Sequence, residues 1–295
     1  MSNIQRYFSE SAFQILKEDI FKGKKPLIQT IIQSGGELDL QIRPNNKFNV
    51  YYKGNSLAEV EIQPANYYNI KIHAKFDPIG SATKDGLKRF PNERFRVNNT
   101  GDYFYIKINR NELLKFFQGK IINALSSKIK AVNYSEEITF EQSLITDNLE
   151  CEDFIIIDRQ VGGGGISGFL DLLALKKNKT GRYKFVVLEV KLGNNTELKG
   201  KVVGQIEAYM EAIKNNVENF KKCYEINYAQ KKELGIFPES FPATIQIDDI
   251  VDGRIVVGLY SKIGDEYIKE LTSKYPDWKF GKNIVQFKNV LRDIT

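Results

Sequence analysis

Residues 168 to 191 read Gly-Phe-Leu-Asp-Leu-Leu-Ala-Leu-Lys-Lys-Asn-Lys-Thr-Gly-Arg-Tyr-Lys-Phe-Val-Val-Leu-Glu-Val-Lys. Two apolar runs, 168–176 and 183–191, flank a polar turn containing Gly181, a pattern that predicts two buried, adjacent strands. Each run carries charge: Asp171 in the first, Glu189 and Lys191 in the second. Burying a carboxylate or an ammonium costs several kcal/mol unless it is paired or bound to a metal, so all three demand partners. Glu189 and Lys191, two residues apart, share one face of their strand. If the strands pair side by side, Asp171 lies near that same face. Two carboxylates with few nitrogen donors suit a hard cation, Mg²⁺ or Mn²⁺. Such an ion would polarise a phosphate and help deprotonate a water, and Lys191 would orient that water and stabilise developing negative charge. The plainer alternative is a structural Glu-Lys or Asp-Lys pair.

Outward from this stretch, the second part of the chain alternates. A helix is expected at 136–147, strands at 153–160, 168–176 and 183–191, a helix at 198–234, a strand at 254–261, a helix at 265–274 and a strand at 283–288. That order predicts an α/β domain with a mixed sheet flanked by helices. Gly162 to Gly165 read as a hairpin turn, because no Gly-Lys-Ser/Thr follows to make a phosphate cradle. The first part predicts a helix over 7–33, then alternating strands near 37–43, 47–53, 57–63 and 68–76, with turns at Asn45-Asn46 and Gly54-Asn55. A long polar, basic loop follows from Asp77 to Gly101. Leu113, Leu114, Phe117, Ile121, Ile122 and Leu125 give helical spacing over 111–130. The expected organisation is an α+β N-terminal domain rich in antiparallel strands over 1–132, followed by the α/β domain over 133–295. No internal repeat is visible.

The 295 residues carry 43 Lys/Arg, 37 Asp/Glu, one histidine and two cysteines. A single histidine, His73, excludes mechanisms that need two imidazoles, and with them most zinc hydrolases. His73 itself reads as a solvent-facing residue of the alternating run 68–75. Cys151 and Cys223 are too few for a disulfide scaffold or a four-thiolate zinc site and suit a reducing compartment as buried thiols. No run reaches the roughly 18 apolar residues of a membrane span, and Met1 to Ser11 lacks the apolar core of a secretory signal, so a cytoplasmic location is expected. Charge is unevenly spread. Residues 1–130 hold 21 Lys/Arg against 12 Asp/Glu, whereas 131–295 hold 22 against 25. A basic part joined to a weakly acidic one fits a polyanionic partner together with a carboxylate metal site, and also fits a merely solvated surface.

Asp171, seventeen intervening residues and then Glu189-Val190-Lys191 resemble the PD-(D/E)xK motif of the restriction-endonuclease-like nucleases. Leu170 stands where the name has proline, a position without chemistry. Gln205 and Tyr209, one turn apart, look like the QxxxY element of RecB-like members. In Ser135 to Glu141 a helix opens where the superfamily often supplies another carboxylate; Glu137 fits best and Glu141 is its rival. From Glu136 to about Ile213, with Arg159-Gln160-Val161 in between, the order also resembles the catalytic domain of NucS-type endonucleases. That likeness covers about a quarter of the chain. It does not reach residues 1–130, and Leu192 to Thr196 depart from the usual basic run. The resemblance implies a restriction-endonuclease-like mixed sheet flanked by helices. It implies metal held by Asp171, Glu189 and the Val190 carbonyl, and catalysis by these carboxylates with Lys191, Glu137, Gln205 and Tyr209.

The expected activity is therefore metal-dependent phosphodiester hydrolysis, on DNA in preference to RNA, in repair or in defence against foreign DNA. Cleavage of RNA, or nucleic-acid binding without turnover, are the competing expectations, beside a structural salt-bridge scaffold. Lys84, Lys88, Arg89, Arg94 and Arg96, interleaved with Phe90 and Phe95, could grip phosphates and stack on bases. Lys199 and Lys201 are further candidate phosphate contacts, or else a solvated helix face. One centre cuts one strand at a time, so a homodimer would serve a double-strand cut. The lone Trp278 and the aromatic tail 275–287 read as packing.

Overall fold

The computed structural model describes residues 4–23, 26–76, 96–97, 102–117, 119–132 and 135–288, with the backbone alone at 96–97 and 119–120. It is a mixed α/β protein of two compact units. One unit comprises Gln5–Gln142 and Ile226–Ala243. The other comprises Ile4, Ser143–Glu225 and the chain from Thr244 onward. The chain thus changes unit at Gln142, inside a helix, rather than once after residue 132, and residues 226–243 return to the N-terminal unit.

In the N-terminal unit, β1 (Leu38–Arg43), β2 (Lys47–Tyr52), β3 (Asn55–Ile62), β4 (Tyr67–His73), the two-residue β5 (Arg96–Val97) and β6 (Tyr103–Asn109) form an antiparallel sheet. Their order is β1-β2-β3-β4-β6-β5. Period-2 alternation sends Tyr68, Ile70 and Ile72 of β4 into the core and leaves Tyr67, Asn69, Lys71 and His73 on the outer face. Helices α1 (Glu10–Ile20), α2 (Leu27–Ile32), α3 (Leu113–Phe116) and α4 (Gly119–Val132) supply Leu16, Ile20, Ile28, Phe116 and Leu125 to the same apolar cluster. The expected helix over 7–33 is broken where Gly23 adopts φ +85° and Pro26 caps α2. Asn45 and Asn46 turn β1 into β2 with positive φ, as expected; the next turn falls on Lys53-Gly54, one residue earlier than predicted. Of the basic loop, Lys84, Lys88, Arg89, Arg94, Phe90 and Phe95 lie outside the described residues, and the backbone of Arg96, in β5, pairs with that of Tyr105 in β6.

Helix α5 (Glu136–Asp147) leads into the second unit. There β7 (Phe154–Gly163), β8 (Ile166–Lys177), β9 (Tyr183–Leu192), β10 (Ile247–Gly258) and β11 (Ile284–Gln286) form a sheet in the order β11-β10-β9-β8-β7. β7-β8-β9 are antiparallel and β9-β10-β11 parallel, the mixed sheet expected of this half. The predicted helix over 198–234 is two helices, α6 (Lys201–Lys214) and α7 (Val217–Glu233). They separate at Asn215-Asn216, where the Asn216 amide reaches the Gly164 carbonyl at 3.3 Å. β10 starts seven residues before the predicted position. Its early acidic residues are paired laterally, Asp248 with Arg182 and Asp252 with Lys184, and so do not break the strand. α8 (Ser261–Lys274) closes the unit, with Trp278 buried behind it. Cys223 is buried as expected, but Cys151 is exposed, because it sits in the turn between α5 and β7 rather than in an element. Among the described residues no helix is long and apolar enough to cross a membrane.

Candidate active site

The β8–β9 ladder runs from Lys177 opposite Tyr183 to Leu172 opposite Leu188 and stops there. Beyond that point β8 continues against β7 and β9 against β10, with Glu189 opposite Ile255 and Lys191 opposite Val257. At the fork the next β8 residue, Asp171, replaces the missing backbone bond with its side chain: the Val190 N–H donates to Asp171 Oδ2 at 2.9 Å. Glu189 and Lys191 project on the same side of β9 as Phe185, the side packed on Phe220 and Tyr224 of α7.

Three of the predicted residues therefore converge. Lys191 Nζ donates to Glu189 Oε1 at 2.8 Å and lies 3.8 Å from Asp171 Oδ2, and all three side chains are largely buried. Burial pushes the Asp171 carboxyl above its ordinary range, against the opposing pull of the Lys191 charge, the Val190 N–H and the Arg159 charge. The site holds two groups that the sequence reading did not assign to it. Glu197 Oε2 stands 3.6 Å from Lys191 Nζ and pairs through its other oxygen with Lys201. Its carboxyl is held below the usual range, first by the Lys201 hydrogen bond. Arg159, fully buried in β7 opposite Leu172, adds positive charge. An arginine inside the apolar run Phe154 to Val161 was the available signal for it, of the same kind that marked Asp171.

Helix α6 brings Tyr209 of the Gln205–Tyr209 pair to this face. Tyr209 donates its hydroxyl to the Phe169 carbonyl at 3.2 Å, two residues before Asp171, and its phenol is pushed up by burial and then by the Glu189 and Asp171 charges. Gln205, one turn earlier, is half-buried, and its Oε1 has no hydrogen-bond partner among the described residues. α6 packs against β10 at Gly253, where an added Cβ would come 2.6 Å from Met210 Sδ.

Glu137 and Glu141 belong to the N-terminal unit, one turn apart on α5, with carboxylate oxygens within 4.8 Å of each other. Glu141 is buried and Glu137 half-buried. Lys199 lies over the Tyr267 ring at 4.7 Å and 3.6 Å from Glu270, while Lys201 opens α6 and is engaged by Glu197. Val190 meets Asp171 through its N–H.

Compared with known proteins, the chain matches no family model, no curated protein and no solved structure.

Proposed function

We propose that the protein is a metal-dependent nuclease that hydrolyses phosphodiester bonds, with DNA as the preferred substrate. The observation that carries this reading is the meeting of Asp171, Glu189 and Lys191 at the fork of β8 and β9. Burying three charges at a strand end costs the fold several kcal/mol before any is recovered by pairing, so the arrangement calls for a purpose beyond stability. Two oxygen donors, with the sole histidine elsewhere on β4, fit a hard dication such as Mg²⁺ or Mn²⁺ and not zinc. When bound, such an ion supplies Lewis acidity to the phosphate and acidifies a water.

The chain's own residues do the rest. Asp171 and Glu189 hold the charge, and the Val190 N–H fixes the Asp171 carboxylate through Oδ2. In the nuclease reading the Val190 carbonyl is a third ligand. Lys191 carries a donor and a positive charge to the attacking water and the phosphate. Tyr209 steadies the start of β8, and in the nuclease reading Gln205 adds its amide. The test is Mg²⁺-dependent cleavage of linear and circular, single- and double-stranded DNA and of RNA by the wild type, Asp171→Ala and Lys191→Ala. Cutting that disappears in both variants supports the reading and names the substrate class; cutting that survives both refutes this centre. The competing reading, an internal salt-bridge network, draws on the number of carboxylates around Lys191, and predicts no cutting and no response to metal.

A further inference from the structure

We propose that the outer face of the N-terminal sheet binds a single-stranded segment of nucleic acid, taking one base into a pocket between β2 and β6. This deepens the nuclease reading, on which the choice of a nucleic acid rests.

The pocket has room for about 240 Å³ and is lined by Asn49, Glu59, Lys71, His73, Lys75 and Tyr103 among others. Ligand pockets for free small molecules begin at roughly 300 Å³, so this one suits a single base whose strand continues over the surface. The register explains why these residues meet. Glu59 of β3 stands opposite Lys71 of β4, Lys71 opposite Tyr105 of β6, and His73 opposite Tyr103, all on the face turned away from the apolar core. The chemistry is paired ring and cation. Lys71 Nζ lies 4.2 Å from the Tyr103 ring centroid, and further along the same face Lys107 Nζ lies 3.5 Å from that of Tyr67. Each pair offers a base an aromatic surface and the adjoining phosphate an ammonium on a flexible stem.

Polar groups at the pocket floor suit a base edge. The Asn49 side chain is buried and its Oδ1 accepts from Ser56 Oγ at 3.0 Å, and Glu59 presents a carboxylate held by Lys47 at 3.4 Å and Lys71 at 3.8 Å. His73 Nδ1 accepts the Lys75 N–H at 3.2 Å, so the neutral ring presents Nε2–H as a donor. Burial and then the Lys75 and Lys71 charges push the ring below its ordinary value, against the opposing pull of the Asp102 charge. The occupant is a single strand and not a duplex, because only unpaired bases expose a face to Tyr103.

The test measures binding of a labelled oligothymidine strand, and of the same sequence as a duplex, by fluorescence anisotropy. The full-length protein is kept in EDTA so that nothing is cut. Wild type is expected to prefer the single strand, Tyr103→Ala to bind it about ten-fold more weakly, and Tyr103→Phe to bind it like wild type. Lys71→Ala should flatten the dependence of affinity on salt by close to one phosphate contact. Should Tyr103→Ala fail to fold, as judged by its thermal transition, the salt slope of Lys71→Ala decides. Equal affinity in wild type and Tyr103→Ala, or an unchanged slope, overturns the proposal. If the wild type cuts DNA in Mg²⁺ while Tyr103→Ala binds normally, this inference falls and the nuclease reading stands. Strand binding that depends on Tyr103, without cutting, has the opposite meaning.

Discussion

Lys191 holds together a site that would otherwise repel itself. With Glu189 at 2.8 Å and both side chains almost fully buried, Lys191→Ala leaves an uncompensated carboxylate beside Asp171. In the absence of divalent metal this variant is expected to lose roughly 3 kcal/mol of stability. Millimolar Mg²⁺ is expected to restore much of that loss, since an ion shared by Asp171 and Glu189 replaces the missing charge. Urea unfolding with and without Mg²⁺ checks it; a variant indifferent to Mg²⁺ would leave the salt-bridge reading in possession of the site. A second residue-scale prediction concerns Asp19 in the N-terminal unit. Its side chain accepts from Arg110 Nε, the Tyr68 hydroxyl and Lys22 Nζ, each at 2.7 Å. Burial pushes its carboxyl up, but the Arg110, Lys22 and Tyr68 hydrogen bonds outweigh this and hold it below the ordinary 3.8. The stabilisation is therefore complete above pH 3.8 and vanishes as pH falls through the lower folded-state value. The stability gap between wild type and Asp19→Asn, measured by urea unfolding, is expected to be large at pH 6 and to shrink toward pH 2.

At the scale of elements, the end of β9 is the vulnerable point. Gly193 follows the strand and donates its N–H to the Gly258 carbonyl at 2.9 Å. A Cβ there would lie 2.6 Å from the carbonyl oxygens of both Leu259 and Tyr260, which are backbone atoms that no rotamer change can remove. Gly193→Ala is expected to cost roughly 1–3 kcal/mol. It is also expected to displace the turn carrying Glu197, lowering cleavage more than a distant substitution of equal cost; unfolding and activity measured on the same samples test this. An activity loss no greater than that of the distant control would show that the turn does not support the site.

At the scale of the molecule, the N-terminal unit is not a contiguous piece of chain. Gln230 exchanges two hydrogen bonds of 2.9 Å with the Phe8 backbone, Lys231 donates to Gln41 at 2.7 Å, and Leu234 lies in the apolar cluster. A fragment ending at residue 142 leaves these buried groups unpaired at about 1–3 kcal/mol each, against a total stability of order 10 kcal/mol. Such a fragment is expected to lack a cooperative thermal transition, and one with residues 226–243 appended through a flexible linker to regain it. A fragment that melts cooperatively without them would contradict this.

Sequence by itself determined the mixed α/β class, the antiparallel strands β1 to β4 and the position of α5, because period-2 and helical spacing are local properties. The charges in the apolar runs of β8 and β9 equally singled out Asp171, Glu189 and Lys191. Glu197 was not legible, because a glutamate in a polar turn differs in no local way from a solvated one until the fold brings Lys191 beside it. Nor was the break at Asn215-Asn216, which depends on the carbonyl of Gly164 far away in sequence. The return of residues 226–243 to the first unit and the pocket between β2 and β6 were likewise decided only by tertiary structure. Periodicity states which face of an element is buried, but the partner of that face is fixed by long-range packing and by the satisfaction of buried polar groups, which no local stretch of sequence contains.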